Sequence, residues 1–405
     1  MLYLALGGIC MEMLLKLAIV LLVGCLAGRL AKTFRLSNIF GFVIAGMLIG
    51  PSCFQLLSNN DLTLLTMVVE VAVAILAFKI GSEFVIRDMR KLGTSFIIIT
   101  LTEVAGAIFV VFCTMFFLFK QDFVFSLIIA SLAAATAPAA TIMVMRQYRS
   151  DGPVTRMLLP VSALDGFLGV VLFGVAISFA RMMGKGMELG MLQMLGRPLL
   201  EICGGLVLGA VFGMALAFLG QKAGDSDELL VMTLGMILAA TGVAKALALS
   251  PLLANIMMGA VLVNMTQNTN RVFFALNQFT PPLYLLLFTL AGSSFRLGVF
   301  WQVGFLGLGY ILARAMGKLA GAWLGAKKVQ AEAVVQEHLG ITLLPQGGLS
   351  IALALLVRYH LPDISLTVLA ITLVSVLLYE IVGPILAKAA IERAGEIRGM
   401  GSIIR

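Results

Sequence analysis

Charge is what this chain has least of. Of its 405 residues, 12% are Asp, Glu, Lys or Arg and 61% are apolar, roughly half the charge of an ordinary globular protein. Too little polar surface exists to wrap a water-soluble core, so the chain reads as an integral membrane protein. Long polar stretches are missing too: about ten residues is the most that separates one apolar run from the next. That leaves no room for a separate soluble domain, and the net charge of +8 has no basic domain with which to hold nucleic acid. The five cysteines, Cys10, Cys25, Cys53, Cys113 and Cys203, stand singly, without the spacing of a disulfide framework or metal site, and read as small packing residues. The two histidines, His338 and His360, fall at span edges, where a lone imidazole is more often solvated than a sensor. No nucleotide loop, metal cluster or nucleophile constellation occurs, so nothing points to an enzyme or a bound cofactor.

What the chain does have is apolar runs of spanning length. A span needs about 20 mostly apolar residues, and the clusters of charge, Pro and Gly place span starts near residues 13, 38, 62, 95, 123, 157, 193, 227, 250, 272, 299, 335 and 363. With the N-terminus outside, the cytoplasmic loops collect Arg29, Lys32, Arg35, Arg87, Arg90, Lys91, Arg146, Arg149, Arg156, Lys222, Arg271, Lys327, Lys328 and the four basic residues of the tail. The opposite side receives Lys120, Arg181, Lys185, Arg197, Lys245, Arg296 and Arg358. Cytoplasmic loops retain Lys and Arg, so this asymmetry predicts an outside N-terminus, a cytoplasmic C-terminus and an odd number of spans. Residues 1–11 are too short to span and precede a second start-like methionine cluster at Met11 to Met13; they read either as an extension of the first helix or as an upstream start. No cleavable signal peptide is apparent, because the first apolar run continues to spanning length.

Three ordered matches suggest an internal repeat. Ser37 to Gly46 is echoed by Ser250 to Gly259, Phe78 to Phe84 by Phe288 to Phe295, and Ala135 to Ala139 by Leu344 to Gly348. Each match links spans seven apart, and an odd offset inverts the second copy. The expected fold is therefore all-α and polytopic, about 13 transmembrane helices: a first inverted repeat (1–192), a linker helix (193–220) and a second repeat (221–405). Such proteins form sites at the midplane where helices are broken.

Pro138 and Pro345 fall mid-span in equivalent helices of the two halves. A proline there unwinds the helix, and loose backbone at membrane depth must face protein or a watery cavity. Ser131, Thr136 and Thr141 flank the first break, and Thr342, Gln346, Gly347 and Gly348 the second, offering oxygens suited to a hard monovalent cation. Ionisable groups inside a bilayer are costly enough to be functional candidates by default. Asp165 and Lys318 each lie eight residues in from a cytoplasmic span end, about 12 Å deep, and read as an ion pair or as a competition between proton and cation. Ser162 shares the helix face of Asp165. A carboxylate desolvated there can take up a proton and release it when a cation arrives. Arg314, one turn before Lys318, is a second basic candidate for the same partner. Glu70 and Glu103 also look deep, either as second cation ligands or as partners of basic groups. Lys79 and Glu83, four apart near a cytoplasmic helix end, suggest a local pair, and Glu380 is ambiguous.

Taken in order, these stretches resemble the monovalent cation:proton antiporter superfamily over almost the whole chain. The likeness rests on Gly41 to Pro51, Phe78 to Phe84 with Gly81 and Glu83, Thr136-Ala137-Pro138-Ala139-Ala140, Asp165, Gly317 to Ala322 and Leu344 to Gly348. The resemblance implies a homodimer in lipid, in the bacterial inner membrane. It implies a core domain whose two crossed, unwound helices carry Ala137, Pro138, Pro345, Gln346 and Gly347, moving against a dimerisation domain. It also implies an aspartate alternating between H⁺ and Na⁺ or K⁺, with no cofactor. Those roles fall on Asp165, with Thr136 and Ser162 nearby and Lys318 as the basic partner. Where the family usually has a polar-acidic pair, this chain has Leu164-Asp165-Gly166, and its Thr-Ala-Pro lacks the Asp of one branch. If Asp165 matches the second member of the pair, one proton exchanges for one cation and transport is electroneutral; if it matches the first, Gly166 has replaced the binding acid. Two other readings stand beside the antiporter: a sodium-coupled organic-anion symporter, using Arg314 and Lys318 for substrate, and a gated ion conduit or non-transporting sensor.

Overall fold

The computed structural model describes residues 12–34, 36–87, 93–136, 138–183, 191–266, 269–295 and 297–397. Ala137, Cys10, Arg35, Arg90, Lys91, Lys185, Arg296 and the stretch 1–11 lie outside them. Among the described residues there are sixteen α-helices and no strand, as expected where every backbone polar group must be satisfied within its own segment. The first half holds α1 (Met13–Thr33), α2 (Asn38–Ile49), the short α3 (Asn59–Leu64), α4 (Thr66–Gly81), α5 (Ser95–Cys113), α6 (Phe123–Ala134), α7 (Pro138–Gln147) and α8 (Pro153–Met183). α9 (Met191–Gly220) follows. The second half holds α10 (Ser226–Ala246), α11 (Pro251–Met265), α12 (Thr269–Ser293), α13 (Leu297–Lys328), α14 (Ala333–Thr342), α15 (Gly348–His360) and α16 (Pro362–Arg393). Among the described residues seven segments are long and apolar enough to cross a membrane, and shorter apolar helices such as α2, α6 and α11 pack among them.

Side-chain oxygens open several helices by accepting an otherwise unpaired backbone N–H. Ser37 caps α2 through Ile39 N, Ser250 caps α11 through Leu253 N, and Asp122 caps α6 through Val124 N. Leu22, Leu26 and Leu30 of α1, Val207, Met214 and Phe218 of α9, and Phe305, Leu312 and Met316 of α13 are exposed, while the four fully buried charged residues lie inside. That inverts a soluble protein's arrangement and suits lipid. The cysteines depart from the expectation of packing residues: Cys25, Cys53 and Cys203 are exposed and Cys113 is half-buried.

Without a hydrophobic drive between helices in lipid, close approach depends on small residues. A Cβ on Gly46 (α2) would overlap the carbonyl of Thr289 (α12), and one on Gly292 (α12) the carbonyl of Val43 (α2). The contact between α11 and α4 has the same form, with Gly259 against the carbonyl of Phe78 and Gly81 against that of Ile256. α5 and α13 press together through Gly106 and Gly317, where a Cβ on Gly106 would lie 2.6 Å from Gly317 O. α5 contributes Glu103 and α13 contributes Arg314 and Lys318, so this glycine contact delivers three buried charges to one place.

Candidate ion site

Two helices are interrupted, and their breaks meet. α6 ends at Ala134 and the chain resumes as α7 at Pro138, whose fixed φ and missing N–H suit a first helical position. α14 ends at Thr342, and α15 starts at Gly348 after a non-helical stretch holding Pro345, Gln346 and Gly347. Thr141 Oγ1 donates to Thr342 O at 3.1 Å, which ties one break to the other.

Four charged or polar side chains converge beside the breaks. Lys318 and Asp165 are fully buried, as is Glu103, and Thr136 is nearly so. The ammonium of Lys318 has three donors, and it uses them on Glu103 Oε1, Thr136 Oγ1 (2.7 Å) and Asp165 Oδ2 (2.9 Å). Thr136 in turn donates to Asp165 Oδ2. The carboxyls of Glu103 and Asp165 thus share one ammonium. Asp165 Oδ1 and Glu103 Oε2 are buried without a hydrogen-bond partner, which leaves oxygen positions that a proton or a cation can occupy. Of the two roles weighed for Glu103, the structure shows contact with a basic group.

Arg314 is placed differently from the expectation. It does not reach Asp165; its Nε donates to Ala133 O (3.1 Å), Nη2 to Ala135 O (2.9 Å) and Nη1 to Leu344 O (2.6 Å). These carbonyls belong to the broken end of α6 and the gap before α15, where unwinding removed their helical partners, and a planar fork of donors suits several carbonyls at once. The guanidinium also stacks 4.9 Å from the Tyr379 ring. Gln346 is likewise committed: Nε2 donates to Leu132 O (3.2 Å) and Tyr310 Oη (3.0 Å), and Oε1 accepts from Ser375 Oγ (2.7 Å). Its amide oxygen therefore braces the break. Tyr310, Ser375 and Tyr379 were not singled out from the sequence; hydroxyls inside apolar spans were their only signal.

Ser162 is buried one turn from Asp165, but its hydroxyl donates to Leu158 O at 2.7 Å. A Cβ on Gly166 would meet Ile80 and Leu349 at 3.7 and 3.8 Å and no atom of the cluster within 4 Å. Pro345 packs against Gly383. Glu70 is not deep. It sits just one turn into α4, bonds Lys245 Nζ at 2.5 Å, and lines a separate cavity of about 370 Å³ with Glu201, Arg181 and His360. Lys79 turns to Asn277 Oδ1 at 2.7 Å rather than closing on Glu83, which lies just beyond the end of α4. Glu380 is buried on α16.

Residues 17–389 match the family model described as sodium/hydrogen exchanger, transmembrane. The fold is similar to that of a sodium proton antiporter from Methanocaldococcus jannaschii, determined at pH 8, with a TM-score of 0.78 and 17% identity over 98% of this chain and 99% of that one. An electron-microscopy structure of a sodium proton antiporter from the same organism gives a TM-score of 0.74 and 15% identity over 97% and 98% of the two chains. No curated protein matches the sequence.

Proposed function

This chain belongs to the sodium/hydrogen exchanger family, a family of transporters rather than enzymes that works without a cofactor, and from that membership we propose that it exchanges H⁺ for Na⁺ or K⁺ by alternating access, one for one. The observation that carries the reading is the buried cluster of Asp165, Thr136, Lys318 and Glu103 at the meeting of two broken helices. A buried carboxylate holds either a proton or a cation more readily than it stays bare. Asp165 is the binding acid, with Oδ1 open to the ion, and Thr136 adds a hydroxyl oxygen. A Cβ at Gly166 would meet Ile80 and Leu349 and no atom of the cluster within 4 Å, whereas Asp165 bonds Lys318 directly; this supports Asp165 as the match to the family's binding acid.

The organic-anion reading loses its basis, since Arg314 spends its guanidinium on three carbonyls and Lys318 its three donors on side chains. The division into residues 1–192, 193–220 and 221–405 is supported by the reciprocal contacts: Gly46 with Thr289 and Gly292 with Val43 repeat as Gly259 with Phe78 and Gly81 with Ile256, at the offsets of the sequence matches. The chain works as a homodimer in the bacterial inner membrane, N-terminus outside. Proteoliposomes with an entrapped pH dye test the exchange, cation by cation. Wild-type protein moves protons when Na⁺ or K⁺ is added and Asp165→Asn does not; full activity in that variant overturns the mechanism.

A further inference from the structure

We infer that Glu201 closes the outer end of the ion path, and that its hydrogen bond to Ser178 breaks each time the site turns outward. The inference rests on the alternating-access reading at Asp165 and adds the contact that holds one of its two states.

The helices fall into two groups by how they touch. α2 with α12 and α4 with α11 meet through glycines pressed on facing carbonyls, and α9 joins them where a Cβ on Gly209 would lie 2.1 Å from Ala254 O in α11. α5 and α13 are pressed together in the same way. Arg314 and Lys318 bind the end of α6 and the middle of α8 to that second group, and Thr141 binds α7 to α14. Between the groups, glycines meet side chains instead: a Cβ on Gly166 of α8 would meet Ile80 of α4, and one on Gly348 of α15 would meet Phe288 of α12. Flexible side chains slide past one another where carbonyl-packed backbones do not, so this boundary is where one group moves against the other.

One face of α8 runs along the boundary. Gly166, Val170, Gly174 and Ser178 recur every four residues and so share a face, which begins beside Asp165 and ends at Ser178, about 20 Å along the helix axis. There Ser178 Oγ donates to Glu201 Oε2 of α9 at 2.7 Å. Among the described residues, this is the side-chain hydrogen bond that crosses between the groups at the outer helix ends. Glu201 is anchored on its own side, where its carbonyl accepts from Ser250 N at 3.3 Å. Both residues line the cavity of about 370 Å³, whose wall joins α8 and α15 to α4, α9, α10 and α11. The other carboxylate there, Glu70, is spent on Lys245 within its own group, so Glu201 is the acid that reaches across. A carboxylate acceptor makes such a bond stronger than a neutral pair. While it holds, the helix carrying Asp165 stays against α9 and the site is shut from outside; once it breaks, the cavity becomes the opening for the ion. Glu201 acts through Ser178, as a positioning residue.

The test reads outward opening in the full-length chain. Cys10, Cys25, Cys53, Cys113 and Cys203 are replaced by Ser, and Val170→Cys puts one reporter thiol on the boundary face of α8, where Val170 is buried. A membrane-impermeant methanethiosulfonate is added to right-side-out or inside-out vesicles and the labelling rate is measured. From outside, Ser178→Ala and Glu201→Ala each label roughly three- to tenfold faster, as loss of a charge-assisted bond implies. Glu201→Gln keeps an acceptor and stays nearer the starting rate, and the double Ala variant labels no faster than either single one. From inside, no variant labels faster. Unchanged outer labelling in Ser178→Ala, the milder variant, overturns the inference; so does additivity in the double variant, or a rise from both sides, which general loosening would give. In proteoliposomes, a short reducible bis-methanethiosulfonate bridging Ser178→Cys to Glu201→Cys stops cation-driven proton flux until it is reduced, and a bridged protein that still exchanges overturns the inference. A wild type with no cation-driven proton flux overturns the exchange reading itself; exchange by wild type beside unchanged outer labelling overturns the inference alone.

Discussion

Lys318 Nζ lies 2.9 Å from Asp165 Oδ2 across 153 residues of sequence, with both side chains fully buried. The same ammonium holds Glu103, so its removal leaves two carboxyls facing each other with no cation between them. Breaking a buried pair this way costs about 3–5 kcal/mol. Lys318→Gln is expected to lower thermal stability in detergent by that order. Glu103→Gln combined with Lys318→Gln leaves one buried carboxyl in place of two and is expected to recover part of the loss; a double variant no more stable than Lys318→Gln would place the damage in packing instead.

Arg314 offers a separate prediction, because its partners are backbone. Each carbonyl left buried and unpaired costs about 1–3 kcal/mol, and Arg314 serves three. Arg314→Ala is expected to destabilise by at least about 3 kcal/mol. Arg314→Lys recovers part of this, since an ammonium keeps the charge at the end of α6 but lacks the planar fork. Thermal unfolding ranks the three proteins; equal stability of the Lys variant and wild type would show that charge alone holds the breaks.

Much of this arrangement is legible in the sequence, for reasons tied to particular residues. The expected span starts fall within a few residues of observed helix starts, because the charge, Pro and Gly clusters that place them stand at helix ends, where Asp122 and Asp225 also serve as caps. Asp165, Thr136 and Lys318 stand out as polar groups in apolar runs, and their side chains meet. Glu70 reads as deep only for a span that starts near 62; the short α3 and the turn at Leu65 move the start of α4 to Thr66. Glu103 looked no different from Glu70 by depth. What separates them is which helices touch, and the signal was Gly106 in α5 with Gly317 and Gly321 in α13, whose meaning appears only when the two are paired. Arg314 could not be told from Lys318 by spacing, since both lie on one face and only the unwound carbonyls decide between them.

The glycine contacts can be tested by pairs. Gly46→Ala and Gly259→Ala each force a methyl into a facing carbonyl, and overpacking of this kind costs about 1–3 kcal/mol or more. Both variants are expected to lose folded yield and thermal stability to a similar extent. Gly235→Ala in α10, where nothing lies within 4 Å, is the control and gains up to about 1 kcal/mol from better helix propensity. Unequal losses at 46 and 259 would count against their equivalence in the two halves.

Outside the membrane-spanning segments, Asp61 gives a prediction with a definite sign. Burial on its own raises the carboxyl's pKa. Lys16, donating at 2.6 Å, and the backbone and hydroxyl of Ser58, each donating at 2.8 Å, outweigh burial and hold it below the usual carboxylate value. A carboxyl that binds protons less tightly when folded than when unfolded adds stability above its unfolded value, about 4. That contribution disappears as pH falls through the lower folded value. Asp61→Asn removes it at every pH. The variant is therefore expected to melt below wild type at about pH 7, with the gap closing toward about pH 3 as the wild-type carboxyl is protonated. Thermal melts of both proteins across that range check it. A gap that persists unchanged at acid pH would mean that Asp61 holds α1 to the loop through neutral hydrogen bonds, with no contribution from the Lys16 ion pair.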